Sequence, residues 1–188
     1  MNKIAVVFQS KYGSTRKYAQ WIAEALSCDL LERKSVKVDD LKVYDTIVYG
    51  GGLYAGGVSG FELITKNDEK LADKNLILFT CGLADVSQAC NTDSIKESLK
   101  KAMSVPLQER VKVFHLRGGM DYSKLSIPHK AMMGMVRKAT LKKDPDKRTQ
   151  EDQELLETYG QTVDFTDQAT IEPLVVYVRS LSDTECGD

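Results

Sequence analysis

Three short stretches of this 188-residue chain carry residue types at spacings that can do chemistry. The first is Ser10-Lys11-Tyr12-Gly13-Ser14-Thr15, directly after the apolar run Ile4–Phe8. If a helix follows it, unpaired N–H groups, a positive dipole end and three hydroxyls meet in one turn, which suits a phosphate. Ser and Thr also cap helices for helical reasons alone, but three hydroxyls around Gly13 after a first strand point to an anion. The second stretch, Gly50-Gly51-Gly52-Leu53-Tyr54-Ala55-Gly56-Gly57, lets backbone groups approach a ligand closely and offers Tyr54 as a stacking face. The third, Thr80-Cys81-Gly82-Leu83-Ala84-Asp85, is placed to flank the same ligand from the other side.

Other chemistries are disfavoured by what is missing. There is no GxxxxGK[ST] loop for a nucleoside triphosphate and no GxGxxG for a dinucleotide. Phe8-Gln9-Ser10 replaces the acidic pair that a phosphoacceptor of similar topology needs. Cys28, Cys81, Cys90 and Cys186 are scattered without a CxxC, and His115 and His129 are the only histidines, so no metal site is expected. Free thiols in a reducing compartment are the expectation. Lys and Arg number 26 against 27 Asp and Glu, a net charge of -1, which argues against a nucleic-acid partner.

The elements that must position these loops can be read from apolar periodicity. Ile4–Phe8, Cys28–Leu31, Tyr44–Tyr49, Leu76–Thr80 and Val111–Leu116 read as strands, apolar throughout as in a sheet buried on both faces. Helical spacing joins Tyr18, Ile22 and Leu26, then Phe61–Ala72, Ile95–Met103, and a last helix from near Thr166 to Val178. Strand and helix alternate, so the fold class is α/β with a doubly wound, five-stranded parallel sheet in the order 2-1-3-4-5. In that topology the mononucleotide at the switch point between strands one and three is usually FMN.

The SKYGST, GGGLYAGG and TCGLAD loops, in order at the ends of strands one, three and four, resemble the flavodoxin family across the chain outside one insertion. RGGMDYSKLS (Arg117–Ser126), the Met-rich segment after it and VDFTDQATI (Val163–Ile171) are similar to a branch related to menaquinone-dependent protoporphyrinogen oxidase. The resemblance implies FMN held by Ser10, Lys11, Tyr12, Gly13, Ser14 and Thr15 at the phosphate, with Gly51, Gly52, Leu53, Tyr54, Ala55, Thr80, Cys81, Gly82, Leu83 and Ala84 around the ring. It also implies an oxidoreductase passing electrons from a reduced substrate to a quinone or other acceptor, protoporphyrinogen among the candidate substrates. The alternative is an electron carrier between protein partners. No catalytic side chain is assigned, since hydride or electron transfer requires none. The fourth-strand loop has no aromatic residue between Thr80 and Ala89, so Leu83 or the insertion is expected to cover that face of the ring.

Residues 1–181 are expected to form a single domain, with an insertion over about 118–165 and a tail at 182–188. Residues 120–150 hold eight Lys or Arg and three Asp, a local net charge of +5. Ile127, Ala131, Met132, Met135, Val136 and Ala139 share one side of a helix with Pro128 in its first turn, Lys130 and Arg137 opposite. This face can pack on the core, lid a substrate site, or dock a partner or an anionic membrane. Lys138, Lys142, Lys143, Lys147 and Arg148 suit anionic lipid or porphyrin propionates. His115 is expected inside the fifth strand and His129 exposed in the insertion. With no apolar run of spanning length, the expected location is cytoplasmic, with peripheral contact at the inner membrane face left open.

Overall fold

A run of β-strand and helix repeats builds the molecule, in the order β1 (Ile4–Gln9), α1 (Ser14–Leu26), β2 (Asp29–Glu32), β3 (Thr46–Tyr54), β4 (Gly57–Val58), α2 (Glu62–Thr65), β5 (Asn75–Gly82), α3 (Ala89–Ala102), α4 (Val105–Arg110), β6 (Lys112–Arg117), β7 (Gly119–Asp121), α5 (Ile127–Lys142), α6 (Gln150–Thr158), β8 (Thr162–Asp164) and α7 (Glu172–Asp183). The computed structural model describes residues 2–54 and 57–183. Five strands pair in parallel as β2-β1-β3-β5-β6, and the two-residue β4 turns back antiparallel on the end of β3. Apart from β4, this is the 2-1-3-4-5 order expected of a doubly wound sheet.

Strand alternation divides the core into two layers. Ala5, Val7, Ile47, Tyr49, Leu76 and Leu78 face one side and meet Leu63, Ile64, Leu99 and Leu107 from α2, α3 and α4. Val6, Phe8, Val48, Ile77, Phe79 and Cys81 face the other and meet Tyr18 and Ile22 of α1 with Leu174, Val175 and Val178 of α7. Each such aliphatic side chain contributes about 1.5–3 kcal/mol when buried, so both layers hold the strand ends in place.

Three local features differ from the sequence expectation. The glycines after Tyr49 do not end the strand: Gly50, Gly51 and Gly52 pair with β1 on one side and β5 on the other. Glycine is needed at 50 because a Cβ there would stand 2.0 Å from the Phe79 ring. The segment 61–72 is α2 followed by a 3₁₀ turn at Asp68–Leu71, because the Asn67 amide donates to the Leu63 carbonyl at 2.9 Å and closes the helix. The last α-helix starts at Glu172, after a 3₁₀ turn at Gln168–Ile171 whose Ala169 amide is capped by the Asp167 side chain.

The insertion leaves and re-enters at one place. β7 and β8 pair antiparallel, Gly119 opposite Asp164 and Asp121 opposite Thr162. The root of this hairpin is clasped to α1. Gly119 N donates to Ser14 Oγ (3.0 Å), Lys17 Nζ reaches Asp164 and Thr166, and the Tyr18 hydroxyl donates to the Arg117 carbonyl (2.7 Å). The apolar face expected on the helix after Pro128 is not the buried one. Ile127 is 84% and Met135 67% exposed, whereas Met133 and Thr140 are buried. The reason is that α1 and α7 already close that face of the sheet, so α5 packs on α6 through a different stripe. Among the described residues no helix is long and apolar enough to cross a membrane, and no His/Cys/Asp/Glu group could hold a metal ion.

Candidate functional site

Parallel pairing brings the C-terminal ends of β1, β3 and β5 to one edge of the sheet, and the loop from β1 leads directly into α1. Gly13 opens that helix at φ +105, a backbone conformation that L side chains resist. No side chain caps α1 and its first turn has no acid. The amides of Ser14, Thr15 and Arg16 therefore have no acceptor among the described residues. Ser10 Oγ accepts from Gly13 N (3.1 Å) and Ser14 Oγ from Gly119 N. Each hydroxyl is an acceptor in these bonds and keeps its own proton to donate.

A cavity of about 280 Å³ opens beside this turn. Of the residues singled out from sequence, Ser10, Tyr12, Ser14, Thr15, Gly52, Leu53, Tyr54, Cys81, Gly82, Leu83 and Ala84 line it. Lys11, Gly13, Gly51 and Thr80 do not, and Ala55 lies outside the described residues. The exceptions have local causes. Gly51 is inside the sheet, covered by Val58 and Ser59. Thr80 points to the α3 side, where its hydroxyl bonds His115 Nδ1 at 2.8 Å. Gly13 shapes the turn through its backbone.

The remaining walls come from residues the motifs did not indicate. Gly118, Gly119 and Met120 arrive with the hairpin, and Leu125, His129, Met132 and Met133 with the insertion. His129, expected to be exposed, is half-buried: its Nδ1 stands 2.6 Å from the Tyr12 hydroxyl and its ring stacks on Tyr54, centroids 5.4 Å apart at 18°. Tyr12 meets Tyr54 edge-on at 6.3 Å. Over a hundred residues separate His129 from Tyr12, and no local sequence signal could join them.

The site is electrostatically quiet on the ring side. Burial pushes the Tyr54 phenol up to about 12 and the Cys81 thiol up to about 12, the latter opposed by a hydrogen bond from Thr15. Both stay protonated near neutral pH, and a protonated thiol is a poor nucleophile. The Leu83 and Ala84 amides make no hydrogen bond among the described residues and remain available as donors. The Leu83 carbonyl accepts from Arg117 Nε at 3.0 Å, which fixes the loop that carries them.

A family model described as a flavodoxin domain matches residues 5–147. No curated protein matches the chain. Among solved structures, oxidised flavodoxin 2 from Bacillus cereus is 21% identical, covering 61% of this chain and 84% of its own, with a TM-score of 0.45. Two-electron reduced flavodoxin from Megasphaera elsdenii is 19% identical, covering 60% and 82%, TM-score 0.43. A flavoprotein in complex with FMN from Lactobacillus acidophilus is 15% identical, covering 62% and 93%, TM-score 0.43. With the family model spanning the sheet from β1 through β6 and the loops that build this cavity, the chain belongs to the flavodoxin-domain family.

Proposed function

We propose that the chain binds one FMN non-covalently and works as a flavin-dependent oxidoreductase on a small-molecule partner. The observation that carries this reading is the uncapped N-terminus of α1. Ser10, Ser14 and Thr15, with the uncapped amides of Ser14 and Thr15 and two hydroxyls with protons to give, line the same cavity as Tyr54. The donor set fits the cofactor: amides and hydroxyls without an acid suit a phosphate dianion, and the apolar slot between Tyr54 and Leu83 suits a planar ring system.

When bound, FMN supplies reversible one- and two-electron chemistry. The chain's own residues do the rest. Ser10, Ser14 and the first amides of α1 hold the phosphate. Leu53 and Tyr54 would pack against a bound ring, and Leu83, Met132 and Met133, which line the same cavity, would exclude water from it. The free amides of Leu83 and Ala84 would donate to a bound ring that carries negative charge. His129, bonded to Tyr12, lines the cavity with a second ring nitrogen able to hydrogen-bond a ligand there.

An enzyme is favoured over a carrier because the insertion covers the site: Leu125, His129, Met132 and Met133 line the cavity, whereas exchange between proteins needs an open ring edge. A quinone, or a porphyrinogen as the branch resemblance implies, is the class of partner proposed. Residues 1–181 are proposed to act as one domain.

The test is fluorescence titration of flavin-free protein with FMN, followed by anaerobic reduction and mixing with quinones, protoporphyrinogen and protein acceptors. One equivalent of FMN, and electron exchange with a small molecule faster than with a carrier protein, is the expected outcome. Protein that takes up no FMN overturns the reading.

A further inference from the structure

The hydroxyl-rich loop after β1 and the insertion meet at one tyrosine. The Tyr12 oxygen accepts from the Ser126 amide at 3.4 Å, a long bond, and stands 2.6 Å from His129 Nδ1. Ser126 immediately precedes α5, and His129 lies in its first turn. The Ser126 side chain makes no cap, so the start of α5 is held from a loop more than a hundred residues away. Among the described residues, each hydrogen bond or ring contact that joins Ser126 and α5 to the sheet ends on Tyr12 or Tyr54.

Proton bookkeeping assigns the direction of the shorter bond. A phenol has one proton to give. The Tyr12 oxygen already accepts from Ser126, and His129 Nδ1 is the one acceptor that its proton meets among the described residues. Tyr12 therefore donates to Nδ1, and the neutral His129 ring carries its own proton on Nε2. Ser10 and Ser14 differ, since each accepts from a backbone amide and keeps its proton. The Tyr12 hydroxyl has none left for a phosphate oxygen, although the residue stands in the same turn.

What Tyr12 holds is a wall of the site. Met132 and Met133 follow His129 by three and four residues, on the same side of α5, and all three line the first cavity. The rings of Tyr12, Tyr54 and His129 each touch the other two, so the contact that fixes α5 also fixes Tyr54.

We propose that Tyr12 is a positioning residue, which seats α5 through Ser126 and His129 and so couples the loop proposed to take the phosphate to the wall of the cavity. A loop drawn onto a phosphate carries Tyr12 with it. What steadies the loop then steadies α5, and by linkage the seat steadies the bound phosphate to the same degree. The coupling to FMN rests on the flavin reading, whereas the seat does not.

The experiment compares the parent with Tyr12→Phe and His129→Phe, which keep an aromatic ring and delete one end of the bond each. In the flavin-free chain, amide exchange over residues 126–133 should rise about three- to tenfold in either variant, with α1 and the central strands as in the parent. Nitrogen-15 spectra at about pH 8.5, above the ordinary imidazole range, should place the His129 proton on Nε2 in the parent and move part of it to Nδ1 in Tyr12→Phe. The chain has two histidines, so His129→Phe identifies the signal. Dissociation of FMN, followed by fluorescence, should be about three- to tenfold faster in either variant and no faster in the double variant, since both delete the same bond. Exchange in α5 equal to the parent, a His129 tautomer indifferent to Tyr12, or additive losses in the double variant overturns the proposal. Faster FMN release in Tyr12→Phe alone, with α5 unchanged, makes Tyr12 a direct phosphate ligand and overturns it too. A chain that takes up no FMN removes the flavin reading, and the exchange and nitrogen spectra still decide the seat.

Discussion

At the residue scale the site rests on hydroxyls that are already used and still have something to give. Ser14 accepts from Gly119 N, which ties the hairpin root to the start of α1, and its own proton remains free for a phosphate oxygen. Ser14→Ala removes a charge-assisted bond of about 1.5–3 kcal/mol, so FMN affinity should fall about ten- to hundredfold by fluorescence titration. An unchanged affinity places the phosphate elsewhere. Thr15 is a weaker lever, because its buried hydroxyl is turned to the Cys81 sulfur. Tyr54 meets Tyr12 edge-on and His129 face-on, and these two rings also touch each other, so the three form one cluster. Tyr54→Ala should shift the visible flavin spectrum and redox potential, with stacking worth about 0.5–1.5 kcal/mol at stake. A spectrum identical to the parent would reduce Tyr54 to a loop residue.

At the scale of elements, one arginine ties α6 of the insertion to the end of the sheet. Arg117, at the end of β6, donates to the Leu83 carbonyl, pairs with Glu154 on α6 and lies 3.9 Å over the Phe165 ring. Arg117→Met keeps the stem and removes all three polar contacts, leaving Glu154 unpaired in a partly buried place. Urea denaturation should show a loss of about 1–3 kcal/mol, and amide exchange should rise in α6 and at residues 83–84 before it rises in the central strands. Uniform exchange across the molecule would mean that the arginine is not a local clasp. This linkage explains why an insertion with its own helices and no core of its own keeps a defined position: its two ends are paired as β7 and β8, and its far side is tied by Arg117.

At the scale of the whole molecule, stability should fall with acid in two stages. Burial holds the His115 imidazole below its ordinary value of 6.5, with the Lys96 charge acting the same way. The unfolded chain then takes up that proton first. The stabilisation is complete above 6.5 and is lost as pH falls through 6.5 toward the folded value. Asp164 is held low by Thr166, Asp152 by Lys143 and Asp85 by the Ser87 amide, so their contribution is present above the ordinary carboxylate range and lost below it. Calorimetry should give a flat melting temperature from about pH 8 to 7, a shallow decline from about 6.5 to 5, and a steep one below about 4. His115→Gln should remove the first decline only. A parent and variant with identical profiles above pH 5 would show that His115 does not drive it.

What the sequence by itself determined was the sheet and the three loops at its edge. Continuous apolar runs such as Ile4–Phe8 and Leu76–Thr80, short and bounded by turn residues, read as buried strands, and alternation with amphipathic helices leaves few strand orders. The hydroxyl-rich turn after β1 was legible because a strand, a glycine and a helix start lie within a few residues of one another. The tertiary structure alone decided the other walls of the site. His129 reaches Tyr12 and Tyr54, and Met132 and Met133 close over the cavity, through a helix whose orientation depends on the β7–β8 pairing and on Arg117. The exposed and buried stripes of α5 follow from the same cause. Apolar periodicity gives a helix its amphipathic face, but which face is buried depends on what surface remains, and α1 with α7 had already covered the sheet. Local spacing encodes contacts close along the chain; contacts between residues a hundred positions apart exist only once packing has brought their elements together.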